Sequence, residues 1–258
     1  MTFSHKLTVL SEYWRTRLPW ISLILDVHYY IFRSPVLCRY FGLRYFGLGA
    51  MDQTISKYLF VKDSGFFVEL GANDGLRQSN TKILELNHSW RGILIEPIAE
   101  NYRRCRFARS RKTAVFQVAC KSFSDESETL TVTRGDLIAS VISSRNSLHD
   151  PLGHSHQLSK GTLDLVEVPS LTLQRVLEMS DAPKRINFLS LDVEGYELEV
   201  LNGISFEEYS FDLMCIECRN VDEVTRFLEM YGYSRVAQVS HHDYIFVPSD
   251  RVCELQFK

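Results

Sequence analysis

The sequence predicts an α/β fold with a mostly parallel, twisted sheet, and three observations support this prediction. Apolar segments of strand length alternate with helical segments, as in parallel sheets that helices cover on both faces. The first of these segments, 66–70, runs directly into a glycine-containing turn, which is typical of nucleotide-binding βαβ units. Two final strand-like segments, joined by His241 and His242, predict an antiparallel C-terminal hairpin.

The predicted elements follow a regular order up to residue 119, after which the alternation of strands and helices changes. Strands are predicted over 66–70, 92–96, 114–119, 128–133, 166–169, 186–191, 213–217, 234–239 and 243–247. Helices are predicted over 52–60, 78–86, 99–108, 170–179 and 221–231. The alternating pattern of 128–133 indicates an antiparallel edge strand, and Ser170 or Thr172 is the expected N-cap of the fourth helix. Residues 145–161 are polar and rich in turn formers, which predicts a loop.

Charge and aromatic content divide the chain into two units. The net charge is -3, but residues 1–50 carry six basic side chains and two acids and are rich in aromatic residues. We therefore predict a helical, basic and aromatic N-terminal extension over 1–50 and a main domain over 51–258. Such an extension can lie on a membrane surface, dock on a partner or pack over the main domain, and the sequence leaves these alternatives open.

Several features narrow the class of protein. The apolar run 20–32 is too short for a transmembrane helix and lacks a signal-peptide cleavage site, which predicts a cytoplasmic protein with membrane association as the alternative. Cys215 and Cys218 fall on opposite sides of a predicted strand, so free thiols are expected. The arginines of 103–111 are interpreted as a solvated helix face, and no nucleic-acid partner is expected.

The turn after the first strand indicates which cofactor the domain binds. It reads G-A-N-D-G over 71–75 and lacks the G-x-G-x-x-G pattern of dinucleotide sites. Carboxylates at Glu69 and Asp74 would repel a pyrophosphate but suit an ammonium and a sulfonium, which favours S-adenosylmethionine. Glu96, at the end of the second strand, can accept hydrogen bonds from a ribose diol. The alternative is that Gly71 and Gly75 only allow the chain to turn.

Acidic residues stand at four predicted strand ends, and we expect them to converge at one edge of the sheet. They are Glu69, Glu96, Asp192 and Glu217. Together with Glu194, the last two can deprotonate a substrate hydroxyl or hold a divalent metal ion through oxygen ligands. A third alternative is that Asp192 or Glu194 caps the helix predicted near Tyr196. His242 is a candidate general base or a solvated hairpin residue.

Six segments of the chain resemble the FkbM-type methyltransferases. They are 66–75, 95–97, 168–177, 188–197 with its D-V-E-G-Y-E sequence, 216–217 and 242–246. The resemblance covers about 51–248 and implies a Rossmann-like class I methyltransferase fold. It also implies S-adenosylmethionine-dependent O-methylation, often of a sugar hydroxyl in a glycan, glycolipid or natural product.

The resemblance assigns candidate roles by position. The candidate cofactor-binding residues are Glu69, Gly71, Ala72, Asn73, Asp74, Gly75, Glu96, Pro97, Val118, Ala119 and Asp192. The candidate catalytic residues are Asp192, Glu194, Glu217 and His242. No residue is assigned as a metal ligand. An inactive binding module, a metal-dependent small-molecule O-methyltransferase and a homo-oligomer remain open alternatives.

Overall fold

The computed structural model describes residues 34–40, 42, 45–134 and 164–255. Within these residues the predicted α/β architecture is confirmed, since helices cover both faces of a seven-stranded sheet. The predicted loop over 145–161 and most of the predicted N-terminal extension lie outside the described residues. No helix of the described ranges is both long and apolar enough to cross a membrane.

The central sheet has the strand order β11-β12-β10-β8-β1-β2-β3. Its strands are β1 (Phe66–Leu70), β2 (Arg91–Ile95), β3 (Thr113–Phe116), β8 (Phe188–Leu191), β10 (Met214–Glu217), β11 (Tyr233–Gln238) and β12 (Asp243–Pro248). Neighbours from β10 through β3 are parallel, while β12 is antiparallel to β10 and to β11, as predicted for the C-terminal hairpin. The order reverses between β1 and β8, and this reversal opens a crevice at their carboxyl ends.

Helices form one layer on each face of this sheet. They are α1 (Pro35–Tyr40), α2 (Met51–Ser56), α3 (Lys82–His88), α4 (Ala99–Ala108), α5 (Leu173–Met179), α6 (Glu197–Leu201), α7 (Val221–Glu229) and α8 (Val252–Leu255). One core includes Ile55 of α2, Ile83 of α3 and Cys105 of α4. The core of the opposite face includes Leu177 of α5 and Leu228 of α7. Burial on both faces explains why β1 and β8 are almost continuously apolar.

Two of the predicted strands are each divided into two shorter strands. The segment 186–191 divides into β7 (Arg185–Ile186) and β8, because Asn187 uses its side chain to bridge neighbouring elements. Its Oδ1 accepts a hydrogen bond from the Phe66 amide at 2.9 Å, and its Nδ2 donates to Asp212 at 2.8 Å. The segment 114–119 also divides: β3 ends at Phe116, and β4 (Ala119–Lys121) pairs with a different sheet.

That second sheet has the order β4-β6-β5, with β5 over Thr129–Arg134 and β6 over Asp164–Thr172. The antiparallel edge strand predicted near 128–133 is confirmed, whereas β6 is longer than the predicted 166–169. Thr172 is the N-cap of α5, since its hydroxyl accepts from the Arg175 amide at 3.2 Å. A further short strand, β9 (Ser210–Phe211), pairs with β7.

The predicted free thiols are confirmed. Five of the six cysteines are buried as free thiols, and Cys253 is exposed. Burial raises the pKa of the Cys215 and Cys120 thiols, so both are poor nucleophiles.

Candidate functional site

The turn that follows β1 is fixed to the end of β2 by backbone hydrogen bonds. The Gly71 and Ala72 amides both donate to the Ile95 carbonyl, at 3.2 and 3.3 Å, and the Gly75 amide closes the turn on the Ala72 carbonyl at 2.8 Å. Gly71, Asn73 and Gly75 have φ values of 72°, 49° and 73°, which explains the two glycines and the asparagine. These hydrogen bonds and backbone angles give the turn a defined shape.

Glu96 lies directly beneath this turn. One carboxylate oxygen accepts from the Asn73 amide and the other from the Ile98 amide, both at 2.9 Å. The side chain is 3% exposed, and this burial raises the pKa of Glu96 to about 8. Each carboxylate oxygen retains acceptor capacity beyond its one backbone bond.

The groups around the turn fit a polar ligand with an apolar ring. The Oδ1 atom of Asn73 is buried and has no hydrogen-bond partner, so it can accept from a ligand donor. Val118 and Ala119, which the resemblance predicts to bind the cofactor, are 7% and 5% exposed and form part of the apolar core. Pro97 is partly buried in the loop between β2 and α4. These groups suit the amino-acid and nucleoside parts of S-adenosylmethionine.

The structure corrects the interpretation of Glu69. Its carboxylate does not reach the crevice but lies in the helical layer, where Arg109 donates to it at 2.9 Å. Thr81 and Ser79 donate to the same oxygen at 2.6 and 3.1 Å, and Arg109 also donates to the Gly75 carbonyl at 2.7 Å. The expected convergence of four strand-end acids is therefore wrong for Glu69, whose side chain shares with Phe67 the face of the sheet that α3 and α4 cover.

Asp74 is likewise engaged by the protein. It is fully buried, its Oδ1 accepts from the Leu76 and Arg77 amides, and its Oδ2 accepts from the Arg77 guanidinium at 2.7 Å. Glu69 and Asp74 therefore both have a structural role at the turn, and their attraction of a ligand's positive charge stays a prediction. Sequence analysis missed Arg109, whose arginine-rich surroundings indicated a solvated residue.

Three carboxylates meet on the other side of the crevice, as predicted. Asp192, Glu194 and Glu217 each offer an oxygen atom, and these atoms all lie within 4.8 Å of one another. Asp192 follows β8 and Glu217 ends β10, and the two strands are adjacent and parallel. Glu194 reaches the group because the chain turns sharply there, with φ values of 57° at Glu194 and 100° at Gly195.

Mutual proximity and burial change the acidity of this cluster. Burial, together with a hydrogen bond to Glu217, raises the pKa of Asp192 well above its ordinary value. The pKa of Glu194 is also raised by burial and by the charge of Glu217, although Arg219 opposes the shift from 3.3 Å. The cluster therefore retains a proton that isolated carboxyls would have lost.

Glu197 is a member of this region that sequence analysis did not assign. Its carboxylate accepts from the Gly195 amide at 2.8 Å and is 5% exposed, and burial raises its pKa to about 7. It holds the strained turn that carries Glu194. The capping alternative for Asp192 and Glu194 is wrong, because Tyr196 occupies the N-cap position of α6.

His242 does not join the three carboxylates. It is exposed in the β11–β12 turn, where its ring meets His241 edge-on at 4.4 Å between centroids. The neighbouring Asp243 lies opposite Glu217 in the sheet register and accepts a hydrogen bond from the Ser240 hydroxyl. Burial raises the pKa of the Asp243 carboxyl, and the charge of Glu217 adds to this increase.

Comparison with solved structures finds methyltransferases at low sequence identity. A methyltransferase FkbM from Methylobacillus flagellatus KT shares 14% identity and a TM-score of 0.47 over 87% of this chain and 58% of that one. A precorrin-6y C5,15-methyltransferase from Geobacter metallireducens GS-15 shares 14% identity and a TM-score of 0.39 over 77% and 86% of the two chains. TrmK from M. capricolum, in complex with S-adenosyl-homocysteine, shares 9% identity and a TM-score of 0.39 over 78% of this chain and 67% of that one. No curated protein matches the chain.

The family model of the methyltransferase FkbM domain matches residues 69–235. This match begins at Glu69 in β1, includes the turn, Glu96 and the three carboxylates, and ends in β11. The chain therefore belongs to the FkbM methyltransferase family and is an S-adenosylmethionine-dependent methyltransferase with a class I fold.

Proposed function

We propose that this enzyme transfers the methyl group of S-adenosylmethionine to a hydroxyl oxygen of a sugar-containing substrate. The observation that carries the proposal is the cluster of Asp192, Glu194 and Glu217 across the crevice from the cofactor turn. An alcohol is a weak nucleophile until its proton is removed, and a carboxylate is a suitable base. Several acceptor oxygens within 4.8 Å also suit a substrate with neighbouring hydroxyl groups.

The cofactor, when bound, supplies a methyl carbon on a positively charged sulfur. The protein's part is to hold the acceptor in line and to remove one proton. In the proposed step an ionised carboxylate of the cluster takes the hydroxyl proton, the oxygen pair forms the bond to the methyl carbon, and the sulfur keeps the electrons of the broken bond. The raised pKa values of Asp192 and Glu194 make the cluster a stronger base than an ordinary carboxylate.

We propose that some of the predicted cofactor-binding residues contact the cofactor directly and that others act indirectly. Asn73 and Glu96 contact it through polar groups, while Gly71, Ala72, Pro97, Val118 and Ala119 provide backbone and apolar surface. Glu69, Asp74 and Gly75 are proposed to act indirectly, because the contacts of both carboxylates are with the protein. Asp192 borders both ligands, since its backbone packs against Gly71.

A transfer assay with methyl-labelled S-adenosylmethionine and a panel of glycans, glycolipids and other hydroxylated compounds tests the acceptor class. Label should appear on oxygen and should disappear with Asp192→Asn, while the distant exposed substitution Glu178→Gln retains activity. Label on carbon or nitrogen, or transfer to RNA alone, would contradict the proposal. The position of the label identifies the methylated hydroxyl.

The same three carboxylates support a second candidate, a metal-dependent O-methyltransferase. Oxygen atoms from three acids within 4.8 Å match the hard ligands that Mg²⁺ and Mn²⁺ prefer. A metal ion would lower the pKa of the substrate hydroxyl in place of a protein base. Loss of transfer with a chelator and recovery with Mg²⁺ or Mn²⁺ selects this version, and activity that a chelator leaves unchanged selects the carboxylate base.

We also propose that the enzyme works in the cytoplasm. Five buried cysteines are free, which is typical of proteins in reducing compartments. Cell fractionation with an antibody to the protein tests this location.

A further inference from the structure

A groove lies between α4 and the edge strand β3, away from the crevice. It encloses about 640 Å³. Its lining residues are Tyr102, Arg103, Arg106, Phe107, Arg109, Ser110, Arg111, Thr113 and Val115. Four of the nine are arginines, and no carboxylate belongs to this lining. Because Glu69 and Glu85 pair with Arg109, the basic character of the groove rests on the other three arginines.

The sequence that forms the groove is unusually basic for this chain. Six of the ten residues from 103 to 112 are Arg or Lys, and none is acidic. Arg109 faces inward at 1% exposure to hold Glu69, whereas Arg106 and Arg111 are exposed. The predicted solvated face is thus confirmed for these two arginines and wrong for Arg104 and Arg109, which are both buried.

An exposed apolar surface adjoins this groove. Cys38 of α1 packs with Ala108 of α4 in a small cluster that Phe107 borders, and Phe107 also lines the groove. Residues two positions from Cys38 lie about 160° away around the helix, which turns them outward. Accordingly Val36 is 73% and Tyr40 is 82% exposed.

More exposed apolar side chains lie within α1 and just after it. Leu37, Tyr45 and Leu48 are 41%, 44% and 63% exposed, so a stretch of thirteen residues contributes half of the large exposed apolar side chains of the described chain. Single exposed apolar residues need no explanation, but a group beside a cationic groove indicates an interaction surface.

We propose that this face docks the enzyme on an anionic lipid bilayer. The guanidinium groups of Arg106 and Arg111 bind headgroup phosphates, for which their planar fork is suited. Val36, Tyr40 and their apolar neighbours enter the boundary between headgroups and acyl chains, as amphipathic interfacial surfaces do. Nucleic acid is the less suitable polyanion, because it offers no acyl layer for exposed aliphatic side chains such as Val36 and Leu48.

Sedimentation of the full chain with vesicles tests this proposal. Wild-type protein should bind vesicles that contain phosphatidylserine much more strongly than vesicles of phosphatidylcholine alone. Because each basic residue near an anionic surface changes binding about fivefold, Arg106→Glu with Arg111→Glu should weaken it at least about thirtyfold. Val36→Ser with Tyr40→Ser should weaken binding even at low salt.

Matched variants on the opposite helical layer control for net charge and hydrophobicity. Arg175→Glu with Arg226→Glu changes the charge equally, and Met179→Ser with Met230→Ser removes exposed apolar groups. Both should bind vesicles as wild type does, and all variants should bind S-adenosylhomocysteine equally in calorimetry. Equal vesicle binding by groove variants and controls, or binding to RNA without binding to vesicles, overturns the proposal.

Discussion

Gly71 of the cofactor turn and Asp192 of the acidic cluster are in direct backbone contact. A Cβ atom at Gly71 would lie 1.8 Å from the Asp192 carbonyl oxygen, and the Asp192 amide donates to the Leu70 carbonyl at 3.3 Å. The two halves of the proposed site are therefore held at a fixed separation at the switch point of the sheet. This contact places the proposed base beside the turn that is proposed to hold the cofactor.

Gly71→Ala should be strongly destabilising, because the methyl group meets backbone and the φ of 72° disfavours any side chain. We expect a loss of about 2–5 kcal/mol in the free energy of unfolding. Gly232→Ala is the matched control, since its φ is 77° but no atom lies within 4 Å of the added Cβ. Urea unfolding should show a loss of about 1–2 kcal/mol in the free energy of unfolding of this control. Equal losses in both variants would mean that the contact with Asp192 is unimportant.

The sheet and the acidic cluster were predictable from the sequence because they depend on local patterns. The apolar run 188–191, which is followed by Asp192, predicts a buried strand with an acid at its carboxyl end. Glu217 follows from the same rule. The turn at 71–75 was recognisable because only glycine and asparagine adopt positive φ readily.

The roles of Glu69 and Asp74 were not predictable, because they depend on partners and not on position. Glu69 lies two positions from Phe67, so its side chain points to the face of the sheet that α3 and α4 cover. Its partner Arg109 is forty positions away, in an arginine-rich segment whose composition predicts a solvent-exposed helix face. Local sequence carries no signal for which arginine of such a segment turns inward.

Arg109→Met should cost about 3–5 kcal/mol of folding free energy, because it leaves the Glu69 charge buried without its ion pair. It should also weaken the binding of S-adenosylhomocysteine, since the Gly75 carbonyl loses its donor. The double variant Arg109→Met with Glu69→Met should recover part of the stability. A double-mutant cycle by urea unfolding checks this, and strictly additive losses would argue against the pair.

At a pH above the Glu96 pKa of about 8, Glu96→Gln should weaken the binding of S-adenosylhomocysteine by about 1–3 kcal/mol, because a charged acceptor becomes neutral. The amide nitrogen of Gln would also face the amide of Asn73 or of Ile98, both of which donate to Glu96. Calorimetric titration of wild type, Glu96→Gln and the distant control Glu178→Gln measures the change. Wild-type affinity in Glu96→Gln would remove this residue from the proposed site.

Stability should fall as the pH rises from 5.5 to 7.5. Burial raises the pKa of Glu96 to about 8 and of Glu197 to about 7, so the folded state binds more protons than the unfolded state in this range. The favourable contribution is complete at low pH and is lost as each group ionises. Burial lowers the pKa of Lys82 to about 8, so the ionisation of this residue affects stability mainly above this pH range. Urea midpoints at several pH values should show the decline, with a smaller slope in Glu197→Gln.

Asp192→Asn should lower turnover about 10²–10⁴-fold, because the variant can neither hold nor accept the proton of the cluster. Its affinity for S-adenosylhomocysteine should stay near wild type, since the backbone contact with Gly71 does not involve the carboxyl group. Glu217→Gln should have a similar effect on turnover and should shift the pH profile, because the charge of Glu217 raises the pKa of Asp192. His242→Ala is the comparison, because its exposed ring lies outside the cluster. If Asp192→Asn and Glu217→Gln are fully active while His242→Ala is not, the base is the histidine and the cluster only shapes the substrate pocket.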